Sequence, residues 1–311
     1  MSTPSHFSID ITQPPLDTSQ LGVMQAASTY YGLSWTTPEL FVGSGHGFVT
    51  NVSFDLCPSG PYVWQTSPML ELFSNLNLDV EMIGMTFPAR SSEAERAEFE
   101  SILKQALVEG NVCTILCLDH QVVQGFDDEG FVLAQPWAPT VESTPPRLDY
   151  GSWQGFSDGP PIGAFAVTTN SDTHATRDIL RQAITYGLTV WDEHASHSYD
   201  ERYGMGPAAY PKWQQALDDG QGEQHGAWWN GVVWGECKMM TSRYFEGLNG
   251  DMNGATDLTK QIAAAYRESA QAMFTASDLQ LEREKKKQAV RQAEEAETLA
   301  VAKLRELLPL L

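Results

Sequence analysis

From Asp172 onward every pattern in this chain is helical, so any sheet must be built from residues before it. That asymmetry points to an α+β molecule. Helical spacing covers residues 178–195, 210–217, 227–248 and 256–274. A last segment, 278–308, is rich in Ala, Glu, Lys, Arg and Leu, and reads as a long, mostly exposed helix suited to pairing between molecules. Upstream, residues 1–18 read as an extended lead-in. Residues 21–31 read as a helix closed by Gly32, with Asp17, Thr18 and Ser19 all able to cap its start. A short helix is predicted over 68–77 and a strand over 80–85. Residues 92–109 form an amphipathic helix with Ser92 and Glu95 in a capping box, a Phe99, Leu103 and Leu107 stripe, and Gly110 as terminator. Strands follow at 112–118 and, as the last of the chain, at 163–168. The Pro-, Gly- and Ser-rich stretch 138–161 reads as a long ordered loop.

The 311 residues carry 40 acidic and 19 basic side chains, a net charge of −21. Beyond Phe274 the charges balance, so the acidic excess lies on the body. Such a surface repels nucleic acid and anionic lipid, and no basic patch interrupts it. No stretch reaches the roughly 18 apolar residues of a membrane span, and the first residues lack a charged and apolar leader. The four cysteines (Cys57, Cys113, Cys117 and Cys237) have no zinc-type spacing. Cys113 and Cys117, roughly 13 Å apart on one strand face, are too distant to bridge each other. Free thiols in a cytoplasmic protein are the expectation, with no cofactor and no metal.

The most informative stretch begins at Asp119-His120. Two Val- and Phe-rich arms, 121–126 and 131–135, flank Asp127-Asp128-Glu129-Gly130, a connection of hairpin type. If Phe126 faces Phe131, then His120 faces Trp137, and Gln135 is its diagonal neighbour on the same face. An imidazole oriented by a carboxamide is the base-and-orienter half of a nucleophilic triad. On spacing alone the plainer reading is a polar strand end at a sheet edge.

The order of motifs resembles the papain-like cysteine peptidase superfamily, closest to bacteriocin-processing-type peptidase domains and the butirosin-type acyltransferase N-terminal domain. Gln13 lies six residues before Ser19, which opens the helix ending Tyr30-Tyr31-Gly32. His120 leads into Gly125-Phe126-Asp127-Asp128, Gln135 precedes Pro136, and residues 40–45 fit the butirosin-type pattern. Coverage is roughly residues 7–137. The helical half vaguely resembles extensions behind such domains in bacterial proteins. The resemblance implies Ser19 at the nucleophile position, His120 as base, Gln135 as orienter and Gln13 as oxyanion donor. Three departures matter. Serine replaces the usual cysteine, glutamine replaces the usual Asp or Asn, and the His120-to-Gly125 spacing is one residue short. That short spacing turns His120 to the other face unless a bulge compensates. A serine hydroxyl must give its proton to histidine during attack, which normally needs a carboxylate behind the ring. Ser19 is also well suited to be a plain helix N-cap.

Other constellations carry less. Asp192, Glu193, His194 and His197 cluster on one helix, but lack a distant ligand and the HExxH spacing. Trp228, Trp229 and Trp234 lie on one helix, where Trp228 and Trp234, with Cys237, are spaced to share a buried stripe; as an alternative, these aromatics wall a ligand groove in which Glu236 reads an amine. His46, in a glycine-rich segment without a phosphate-cradle motif, is a further ligand-contact candidate. The expected organisation is a papain-like α+β domain over 1–168, an α-helical domain over 169–275 and a helical tail over 276–311. The leading functional expectation is a catalytically degenerate papain-like protein that binds a peptide or small acyl-amine ligand. The alternatives are an active amidase, peptidase or acyltransferase using Ser19, His120 and Gln135, and an assembly protein that forms homo-oligomers through its C-terminal helix.

Overall fold

The computed structural model describes residues 4–137, 145–153, 155–156, 160–248 and 255–311. In chain order it runs β1 (Phe7–Ser8), α1 (Ser19–Tyr30), α2 (Thr37–Gly43), β2 (Asn51–Ser53), α3 (Ser67–Leu72), β3 (Leu78–Thr86) and α4 (Glu93–Val108). Strands β4 (Val112–Leu116), β5 (His120–Phe126), β6 (Gly130–Leu133), β7 (Arg147–Asp149) and β8 (Ile162–Thr169) follow. The remainder is α5 (Thr176–Asp192), α6 (His194–His197), β9 (Tyr203–Met205), α7 (Ala209–Asp218), α8 (His225–Gly247), α9 (Thr256–Ser277) and α10 (Arg283–Leu307). Of the expected loop over 138–161, residues 138–144, 154 and 157–159 lie outside the described residues, and β7 occupies part of the rest.

Two compact units form, each from two stretches of chain: Met1–Thr36 with Asn77–Asp172, and Thr37–Leu76 with Thr173–Leu311. These divisions differ from the boundaries at 168/169 and 275/276 read from the sequence. Residues 37–76 cluster with the helices because Val42 and Phe48 share a core with Leu180, Ile184, Ile262 and Tyr266. The C-terminal helix is not a separate, mostly exposed tail. Its Ala300, Val301, Leu304 and Leu307 belong to that same core, and Ala289, Val290 and Ala293 are buried too. Periodicity finds an apolar stripe but not the surface that covers it.

The first unit is built on an antiparallel sheet in the order β3-β8-β4-β5-β6-β7, with β1 also paired to β5. Helix α4 packs on β3 and β4, burying Phe99, Leu103 and Leu107 among Cys113, Ile115, Val123, Phe131 and Trp153. The Ser92–Glu95 capping box forms as the sequence predicts. Helix α1 ends on Gly32 in the left-handed region (φ 71°), where a glycine carries no Cβ penalty. Tyr31 then anchors that end: its hydroxyl donates to Val167 O (2.7 Å) and accepts Val112 N–H (2.9 Å).

The second unit packs α8, α9 and α10 together, with α2, α5 and α7 around them. The short strand β9 pairs with β2, so the sequence reading missed one strand beyond residue 168. At three residues it is too short to show a period. A fully buried polar network lies inside: Lys238 Nζ sits 2.6 Å from Glu297 Oε1 and donates to Val49 O (2.9 Å). Glu297 Oε2 accepts the hydroxyls of Thr50 (3.1 Å) and Tyr210.

Candidate functional site

The site suggested by the sequence gathers where α1 meets the start of β5. β6 ends at Leu133, and Ala134 N–H still reaches Val122 O (2.9 Å). Beyond that point the same side of β5 would expose backbone polar groups, because the N–H and C=O of one strand residue point the same way. Two side chains take over. Gln13 donates from Nε2 to His120 O and accepts Val122 N–H at Oε1, both at 2.8 Å. Ser19 Oγ accepts His120 N–H at 3.0 Å. Gln13 thus acts as a surrogate strand, with Ser19 beside it. All three residues are buried, with Ser19 only 1% exposed.

This geometry corrects several expectations. Ser19 is not the helix cap: Thr18 occupies that position, and Ser19 is the first helical residue, turned to β5. Gln13 has both ends of its carboxamide engaged by backbone, which fixes its orientation along β5. The Phe126–Phe131 and Gly125–Val132 pairs follow the predicted register, but a bulge at Gln124 shifts the ladder to Val123–Leu133. His120 is therefore out of line with Trp137. Gln135 Nε2 donates to Ala134 O (3.0 Å) and Pro145 O (3.2 Å), not to the imidazole. Gln121 donates to the same two carbonyls, so both amides fasten the return segment.

The His120 ring rests 5.5 Å from the ring of Phe165. Its Nδ1 is buried without a hydrogen bond among the described residues. Burial pushes its pKa down to about 3, so the imidazole is neutral at pH 7 but too weakly basic to hold a serine proton well. Two acidic residues that the sequence reading assigned no site role lie nearby. Asp17 titrates above the usual carboxylate range, first through burial and then through the charge of Asp119. Asp119 itself is buried. Their only signal was position, two residues before Ser19 and one before His120. Neither Cys113 nor Cys117 replaces the serine: Cys113 belongs to the core under α4 and Cys117 packs against it, burial pushes Cys113 up to about 12, and burial with the Asp119 charge pushes Cys117 up to about 11. A nucleophilic cysteine needs the opposite shift.

The remaining candidates lie in the second unit, in separate clusters. His46 is buried among Phe41, Trp64 and Trp234, with ring centroids 5.4 to 6.4 Å away. Trp234 and Cys237 are fully buried, but Trp228 is not in their stripe; it is half-buried and packs on His225 and Trp229. Glu236 is half-buried on α8. At the suspected metal cluster Asp192 pairs with Arg305, and His197 stacks edge-on against Tyr186. Among the described residues no group of three or more His, Cys, Asp or Glu side chains is arranged to hold a metal ion. Nor is any helix there long and apolar enough to cross a membrane. No protein-family model matches the chain, and no curated protein matches it.

Proposed function

We propose that this chain is a catalytically degenerate protein of papain-like ancestry that works by binding a peptide or small acyl-amine ligand. The observation that carries the loss of catalysis is the bond from His120 N–H to Ser19 Oγ. It commits the would-be nucleophile to closing a strand edge, while Gln13 and Gln135 are committed to backbone. The order of Gln13, the α1 serine and the His120 hairpin supports the ancestry. The assembly reading loses support, since α10 has its apolar face covered within its own chain. One observation favours an active acyl-transfer site: a buried imidazole nitrogen without a partner is uncommon in folded proteins.

Turnover of activated acyl esters and peptide amides separates the two. The degenerate reading predicts equal, background rates for the wild type and for Ser19→Ala. A rate at least about a hundredfold above Ser19→Ala, the scale a working nucleophile and base supply, overturns it.

A further inference from the structure

On the other side of the first unit's sheet, β3 is an edge strand of nine residues, paired among the described residues only with β8. Every second N–H and C=O along it therefore points away from the sheet, a template for another strand. Side chains along it are uncovered: Met82 and Met85, with Phe87 just past its end, are 49%, 57% and 50% exposed. Lysine and proline, two of the devices that blunt natural sheet edges, are absent from β3. Its only irregularity is a bulge at Ile83, which splits it into a five-residue and a three-residue ladder.

Beside the edge lies a concave surface of about 510 Å³ between α4, β3 and β8. Its apolar lining includes Ile83 and Ile102, and its rim carries Asp79, Glu81 and Glu109, with no lysine or arginine among the described lining residues. Asp79 and Glu81 face Thr168 and Ala166 across the ladder, on the side opposite Met82 and Phe165, and so opposite His120.

We infer that β3 docks an extended peptide bearing lysine or arginine, which adds as a strand to this edge and lays basic side chains against Asp79, Glu81 and Glu109. Backbone bonds to β3 supply affinity, and the alternate side chains facing the groove supply selectivity, as in other strand-addition complexes. A second copy of the chain is the disfavoured occupant. Its net charge of −21 repels itself, whereas the acidic rim attracts a cation. This surface is independent of how the Ser19–His120 contact is read.

The test is a titration of the full chain with fluorescent eight-residue peptides of alternating Val and Lys, at low and at physiological salt. Three comparisons accompany it: the Val and Glu counterpart, the Lys peptide N-methylated at alternate residues, and the Asp79→Asn/Glu81→Gln double variant. Glu81 is exposed and Asp79 half-buried, and Asn at 79 keeps an acceptor for Asn170, so the variant retains the contacts the fold uses. We expect binding of the Lys peptide only, about three- to tenfold weaker in the variant and at least about tenfold weaker after N-methylation. Equal binding of Lys and Glu peptides, or no binding of either, overturns the proposal. So does affinity indifferent to N-methylation, which would mean plain charge attraction. A dimer in sedimentation that dissociates on Met85→Lys also overturns it, because the edge would then serve the chain itself.

Discussion

At the scale of single residues, Ser19 and His120 are joined through backbone, not through the imidazole, and this has measurable consequences. Replacing Ser19 with Ala leaves a buried N–H without its acceptor, a loss of about 1–3 kcal/mol. Urea unfolding of the wild type and Ser19→Ala checks this; equal stabilities would contradict it. His120 sets a pH dependence of definite sign. Its folded pKa of about 3 lies below the 6.5 of a free imidazole, so the unfolded chain takes up the proton first. The stability held by the neutral ring is complete above about pH 6.5 and falls as the pH drops toward 3, by up to about 5 kcal/mol. Comparing the wild type with His120→Gln at pH 7 and pH 4 isolates the effect from Asp17, whose raised pKa acts in the opposite direction. The wild type should lose its advantage at pH 4, and parallel profiles would contradict the assignment. The resemblance brought Gln13, Ser19 and His120 to one place, but not the atoms used. The resemblance implies which strand end meets which helix start; it carries nothing about whether a backbone amide reaches a hydroxyl before a ring does.

Among the elements, the hairpin β5–β6 shows how far a pattern reaches. Its turn and first two pairs follow from the Asp127-to-Gly130 connection and the facing phenylalanines. The bulge at Gln124 does not, because its cause is tertiary. Gly125 lies against β1, where an added Cβ would stand 2.1 Å from Phe7 O. Gly125→Ala should therefore release β1 and destabilise the unit by about 2 kcal/mol or more, seen as loss of amide protection at Phe126. Unchanged protection there would refute the role given to this contact. The longer helices were legible within a few residues, since stripes such as Phe99, Leu103 and Leu107 repeat over several turns. The buried Lys238–Glu297 pair was invisible, because in sequence each looks like one more surface charge. Lys238→Met should cost about 3–5 kcal/mol by stranding a carboxylate, and adding Glu297→Gln should recover a large part of it. Additive losses in thermal unfolding would count against the pairing.

For the whole molecule, the two discontinuous units explain why the chain could not be divided by eye. Residues 37–76 read as part of the N-terminal run of elements, yet bury Leu40, Phe41 and Val42 in the helical unit. The final helix likewise completes a core instead of extending from one. Removal of residues 283–311 should unfold the helical unit, with a loss of far-ultraviolet helical signal well beyond that of the 25-residue helix removed. A folded remainder that changes only its oligomeric state would restore the assembly reading. The central claim concerns the site: Ser19 closes a strand edge and is not a nucleophile. Its most direct test is the intact mass and adduct map of the native protein after exposure to a fluorophosphonate. The account predicts no adduct on Ser19 at neutral pH, and an adduct there, absent from Ser19→Ala, would contradict it.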